Sequence, residues 1–187
     1  MKTWDRFRWE FEGFLFFGRN FWASRSIPAI EAQRVDGFTF CGVYGHLMPS
    51  FVGLHELMRG GRSINFWRRL LYRRRGAALI VAAVVPGRGV VAFQMFYFRE
   101  GERQRGIVHS AYTGVHPDFQ GHGLGTRLRR FALDHFRRAG LKGASMLIAT
   151  DNINSLKSSQ KAGYQIESTS EDGATYTMIT RFETDRS

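Results

Sequence analysis

At 187 residues and 43% hydrophobic content, the chain suits one globular domain with a real core, and wholesale disorder is excluded. Its 27 Lys and Arg against 16 Asp and Glu leave a net charge of +11 and a pI near 10.6, so an anionic ligand, surface or polymer is the expected class of partner. Cys41 alone forms no internal disulfide or thiolate zinc cage, Met1 to Gly13 lacks the apolar core of a signal peptide, and the longest apolar run, Ala77 to Val85, is far short of the roughly 20 residues of a spanning helix, so a cytoplasmic location is expected.

Phe7, Trp9 and Phe11 alternate with Arg8, Glu10 and Glu12, the period of a half-buried strand, and Gly13 and Gly18 bracket Phe14 to Phe17; the segment reads as strand, bend, strand. Residues 19 to 40 show no clean period and contain Ser26, Pro28, Asp36 and Gly37, so an irregular N-terminal extension over 1–40 is expected. From His46 to Arg75 apolar residues recur at helical spacing, with Phe66, Trp67, Leu70 and Leu71 opposite Arg68, Arg69, Arg73 and Arg74; two helices broken at Gly60-Gly61 fit. Ala77 to Val85, Gly89 to Phe98 and Ile107 to Val115 are strand-like runs separated by turns, an antiparallel meander.

Leu124 to Ala139 then carries Leu128, Phe131, Ala132, His135 and Phe136 on one helical face and stops at Gly140, before the strand Ala144 to Ala149. Strand, helix, strand predicts one parallel pairing. Asp151 or Asn152 can cap a further helix ending at Gly163, and Tyr164 to Glu167 and Ala174 to Phe182 predict two closing strands.

The chemistry concentrates where the Ile107 to Val115 strand hands over to a helix. Pro117 stops the ladder, and Gln120-Gly121-His122-Gly123-Leu124-Gly125 follows. Glycines let another group approach the backbone, and the unpaired amides of a helix start carry positive partial charge, a combination that suits a pyrophosphate. A tight turn whose glycines only satisfy geometry is the alternative. No Gly-Lys-Ser/Thr closes the run, so it is not a nucleoside-triphosphate loop. The dinucleotide fingerprint wants glycine at Thr126, although Asp151 stands where a ribose-binding acid could lie, which keeps a nucleotide-binding oxidoreductase as a rival.

This segment resembles the GNAT superfamily of N-acetyltransferases. The family motif Gln/Arg-x-x-Gly-x-Gly/Ala is matched by Gln120 to Gly125 after Val115-His116-Pro117, and Asn-x-x-Ser/Ala followed by a helix ending in Gly-Phe/Tyr is matched by Asn152 to Ser155 and Gly163-Tyr164. The resemblance runs from about Ala77 to Phe182. It implies an α/β fold with a mixed, mostly antiparallel sheet flanked by helices, acetyl-CoA or another acyl-CoA as co-substrate, no metal, and direct acyl transfer to a primary amine. His46 to Phe51 and Phe66 to Tyr72 resemble a helical region of members associated with polysaccharide biosynthesis, which suggests a nucleotide-linked amino sugar as acceptor.

Carried over residue by residue, the resemblance places the pyrophosphate on Gln120, Gly121, His122, Gly123, Leu124, Gly125 and Thr126. The thioester and pantetheine arm fall on Thr113, Val115 and His116, and Asn152 and Ser155 meet the arm beyond. The family's base position on the same strand maps to His109, whose ordinary pKa near 6.5 suits proton removal, with Glu56, Tyr44 and Tyr112 as substitutes and a packed strand histidine as the plain alternative. The tyrosine that protonates the leaving thiolate in many members maps to Ser159, a poorer and shorter acid.

His55-Glu56-Leu57-Met58-Arg59 has Arg59 where a zinc-binding helix needs its second histidine, and no Gly-x-Ser-x-Gly elbow occurs. The cluster Arg62, Arg68, Arg69, Arg73, Arg74 and Arg75 reads as a solvated helix face or as a site for an anionic amine substrate or lipid head groups; nucleic acid is not the expected partner. A catalytically silent module using that surface on nucleic acid or a membrane is the alternative function. Ser159 favours it and the intact glycines oppose it.

Overall fold

In the computed structural model, which describes residues 3–183, helix α1 (Thr3–Ser24) precedes a hairpin of β1 (Gln33–Val35) and β2 (Phe38–Gly42). Helices α2 (Leu47–Met58) and α3 (Phe66–Leu79) lead to β3 (Ile80–Val85), β4 (Gly89–Tyr97) and β5 (Ile107–Val115). A 3-10 turn (Pro117–Phe119) opens α4 (Leu124–Arg138), followed by β6 (Gly143–Ala149), α5 (Ile153–Ala162), β7 (Gln165–Thr169) and β8 (Thr175–Arg181). The first two and last four residues of the expected 1–187 domain, and with them the start of the Met1 to Gly13 segment, lie outside the described residues.

The strands form one sheet in the order β1-β2-β3-β4-β5-β6-β8-β7. Every pairing is antiparallel except β5 with β6, which α4 joins by a crossover. This is the expected mixed, mostly antiparallel sheet. Phe51 of α2 packs edge-on against Phe93, and Phe136 of α4 packs against Phe96. Phe93 and Phe96 are three residues apart on β4, so α2 and α4 cover opposite faces. Among the described residues no helix is long and apolar enough to cross a membrane.

The expected strand, bend, strand before residue 18 is instead α1. Alternation over five residues is a shorter signal than the helical spacing of Gly13, Phe17, Asn20 and Ser24, which turn inward together; Asn20 and Ser24 are fully buried. Gly13 makes a close helix crossing and not a bend, because a Cβ there would overlap the Trp67 indole of α3. Trp67 Nε1 donates to Glu10 Oε2 at 2.8 Å, and Arg75 Nε donates to Ser24 Oγ at 3.2 Å, fastening both ends of α1 to α3. The tertiary partner overrides the local pattern.

Residues 19–40 are less irregular than expected. Asp36 and Gly37, with φ of 47° and 80°, make the two-residue turn of the β1–β2 hairpin. Ala77 to Leu79 continue α3 and do not open the strand, since Ala and Leu favour helix where the β-branched run has not yet begun.

Candidate active site

The sheet splits at its centre. β5 and β6 pair only from Ile107 with Gly143 to Ser110 with Met146. Beyond that point β5 stays on β4 as far as Val115, and β6 stays on β8 as far as Ala149. His116 N–H donates to Val91 O at 2.8 Å, so alternation along the strand turns the amides of Thr113 and Val115 the other way, into the split. There the Val115 carbonyl accepts from Gln120 Nε2 at 2.9 Å.

The glycine junction closes the mouth of the split. Gly121 and Gly123 have φ of 81° and 71°, values that a side chain would oppose, and Gly123 starts α4 without any side-chain cap. Among the described residues the amides of Gly121 to Gly125 donate to no other protein group. Five free N–H groups at the positive end of a 15-residue helix form an anion cradle. Gly121, Gly123, Leu124 and Gly125 border a cleft of about 560 Å³ that also takes in Thr113, Val115, Asn152, Ser155, Lys157 and Lys161.

Arg129, one turn into α4 and 5% exposed, fixes the opposite wall. Its guanidinium donates to Gly125 O at 3.2 Å, Ser158 Oγ at 2.9 Å and Ser155 Oγ at 3.1 Å, while Thr126 Oγ1 and Ser158 Oγ lie 3.1 Å apart. No carboxylate pairs with it among the described residues, so its charge adds to the field of the cradle, and burial lowers its pKa. Asn152 caps α5 by accepting from Ser155 N at 3.1 Å, which joins the capping role expected of it to a position on the cleft.

Of the residues carried over from sequence, Thr113, Val115, Gln120, Gly121, Gly123, Leu124, Gly125, Thr126, Asn152 and Ser155 meet at this one cleft. His116 and His122 lie off its wall: His116 accepts from Asp118 N at 3.3 Å, and the His122 side chain is exposed. Arg129, Lys157, Ser158 and Lys161 escaped the sequence reading. Their signal is helical spacing, Arg129 four residues after Gly125 and Lys157 and Lys161 four apart on α5.

Two expected catalytic groups are placed elsewhere. His109, 3% exposed, lies within the paired part of β5, on the α2 face of the sheet, with Nδ1 2.8 Å from Ser145 Oγ. Burial pushes its pKa down to about 3, with Arg99 and Arg68 adding to the effect, although the Glu102 carboxylate 3.6 Å away acts in the opposite sense. It is a neutral, packed histidine, since the strand period that sets it beside Ser145 keeps it out of the split. Ser159 is fully buried and gives its hydroxyl to Met146 Sδ at 3.1 Å. One residue along a helix is a rotation of about 100°, so Ser158 faces the cleft and Ser159 faces the core. Of the substitutes, Tyr44 is 57% exposed, and Tyr112 donates to Met58 O at 3.0 Å with its pKa raised by burial.

The arginine cluster also divides. Arg75 turns inward to Ser24 and Ile27, Arg69 and Arg73 flank Phe66 and Leu70 outside, and Arg68 bends toward a hollow on the α2 face beside Ala111 and Tyr112. Among the described residues no three potential metal ligands lie together.

A model of the acetyltransferase (GNAT) family matches residues 43–164. No curated protein matches the sequence. Among solved structures, YncA from Salmonella typhimurium, with its cofactor acetyl-CoA, is 16% identical, with 81% of this chain and 98% of that one covered at a TM-score of 0.66. The acetyltransferase of GNAT family from Streptococcus pneumoniae is 16% identical over 78% of this chain and 99% of its own, TM-score 0.66. Ard1 from Thermoplasma volcanium is 17% identical over 79% and 99%, TM-score 0.61. At these identities the likeness is one of fold.

Proposed function

This chain belongs to the acetyltransferase (GNAT) family, and we propose that it transfers the acetyl group of acetyl-CoA directly to a primary amine of a small molecule. The carrying observation is the split between β5 and β6 that opens onto five unpartnered amides at the start of α4.

The residues present fit the co-substrate. A diphosphate needs donors and positive potential, which the Gly121 to Gly125 amides, Lys157 and Lys161 supply. The pantetheine arm carries amides, which suit a strand edge, and the edge of β5 at Thr113 and Val115 is free of the β6 ladder. The YncA structure, solved with acetyl-CoA on the same fold, supports this reading.

Acetyl-CoA supplies a thioester carbonyl open to attack. The chain's own part is to hold it in the split, with backbone N–H of β5 available to the carbonyl oxygen as charge develops there. No dedicated acid is needed for the leaving thiolate, because a thiol pKa of about 8.5 makes it stable near neutral pH, and Ser159 is not called on. The acceptor amine attacks as the free base: its nitrogen bonds to the carbonyl carbon, the C–S bond breaks to release the thiolate, and the proton shed on forming the amide passes to water. Nucleotide-linked amino sugars are one class of acceptor within this proposal.

Calorimetry with acetyl-CoA and desulfo-CoA tests the proposal, with NAD in the same assay for the rival oxidoreductase. Micromolar binding of acetyl-CoA is expected; no heat at millimolar ligand would sink it. Binding without turnover across amino sugars, polyamines, amino acids and short peptides would leave the silent module.

A further inference from the structure

On the sheet face opposite the cleft, the end of α2, the loop to α3 and the bulge at Ala111 enclose a hollow of about 360 Å³. Ala111 and Tyr112 line it, and Thr113, the next residue, lines the cleft, so the two flank the same stretch of β5 beside the split. Arg59, Arg62 and Arg68 converge on this hollow. Among the described residues none of the three makes a salt bridge or gives its side chain to a hydrogen bond.

We infer that this hollow is the acceptor site and that the acceptor is a small primary amine bearing a carboxylate or phosphate, gripped by Arg59, Arg62 and Arg68. The inference rests on the acetyl-transfer reading for the amine and on the arginines for the anion.

Three guanidiniums around one small volume repel each other and persist without an acid only where solvent or a ligand anion screens them. Two are held by aromatic faces and not by charge. Arg59 lies 5.1 Å over the Tyr112 ring, and Arg68 lies 4.9 Å over Phe16 and 5.2 Å over Tyr97. This leaves their planar forks unengaged, and a carboxylate or phosphate matches that fork better than any neutral group does.

His55 adds an independent sign. It is 7% exposed, and its Nδ1 is sealed from solvent with no partner. Burial and Arg59 lower its pKa, so the ring is neutral at neutral pH. His55 is one of the residues that line the hollow, next to Arg59. Three guanidiniums and no carboxylate therefore set the charge of the walls, as an anion requires.

The test compares acetylation of matched amines: glucosamine 6-phosphate against glucosamine for the phosphate arm, and an amino acid against its amide for the carboxylate arm. A charged hydrogen bond is worth on the order of tenfold to hundredfold. One arm should show a kcat/KM preference of at least about 30-fold for the anion. In Arg59→Gln/Arg62→Gln, both exposed positions, the ratio of anionic to neutral amine should collapse toward parity. Parity in wild type in both arms, or an undiminished preference in the double variant, overturns the inference. Should acetyl-CoA fail to bind, the transfer reading falls, and inorganic phosphate titrated against the Arg59 and Arg68 side-chain NMR signals still decides the hollow. Saturable shifts support it, and unmoved signals refute it.

Discussion

His109 Nδ1 lies 2.8 Å from Ser145 Oγ, and Ser145 passes its own proton on to Glu102 Oε1 at 2.7 Å. The serine hydroxyl can give only one hydrogen, so the imidazole donates from Nδ1 and the chain of bonds runs from His109 to the carboxylate. The histidine that a strand position suggests as a base is thus committed to the interior of the sheet. The acid limb of the kcat/KM profile should be the same in His109→Ala and wild type once both are folded; a shifted limb would restore His109 to the chemistry.

The same burial makes stability depend on pH. His109 is protonated near pH 6.5 when unfolded but only near pH 3 when folded, so the unfolded state binds the extra proton between these values. Its contribution is complete above about pH 6.5 and falls by up to about 1.4 kcal/mol per pH unit toward pH 3. The lowered His55 and His135 act in the same direction. Urea melts from pH 7 to 4 should show stability falling with pH, and more shallowly in His109→Asn. An equal slope in the variant would contradict the account.

Gly123→Glu should abolish acetyl-CoA binding. A Cβ at Gly123 meets nothing within 4 Å, so the variant folds, losing about 1–2 kcal/mol to the positive φ, while its carboxylate occupies the anion cradle. Gly123→Ala is the control for strain alone. Calorimetry with acetyl-CoA, with a thermal melt beside it, separates the two effects; binding by the glutamate variant within tenfold of wild type would remove the cradle from the site.

The neighbouring serines of α5 should behave oppositely. Ser158→Ala deprives the buried Arg129 of one acceptor and is expected to cost about 1–3 kcal/mol and raise the KM for acetyl-CoA. Ser159→Ala loses only a bond to a thioether and should keep kcat within about twofold, since a weak sulfur acceptor contributes little. Steady-state kinetics on both variants reads the difference, and a large fall in kcat for Ser159→Ala would return the acid role to it.

Two glycines of α1 give a packing test. Gly13→Leu drives a side chain into Trp67 and should lower stability by about 1–3 kcal/mol. Gly18 has open space at its Cβ, so Gly18→Ala should stabilise by about 0.5–1 kcal/mol. Equal melting temperatures for the two would mean that α1 does not dock on α3.

Sequence by itself determined the meander, the parallel β5–α4–β6 unit and the glycine junction, because these rest on local rules: β-branched runs, a proline that stops a strand, and glycines before an amphipathic helix. It also marked most of the cleft, since Thr113 to Val115, Gln120 to Thr126 and Asn152 to Ser155 are short contiguous segments. Tertiary structure alone decided α1, where packing on Trp67 outweighs the alternation of Trp9 and Phe11. It also decided which neighbour faces what: Ser158 over Ser159 by helix rotation, and His109 inside the sheet by strand pairing. Arg59, Arg62 and Arg68 belong to separate helical turns and a loop, and only the bulged strand beside them brings their charges to one hollow.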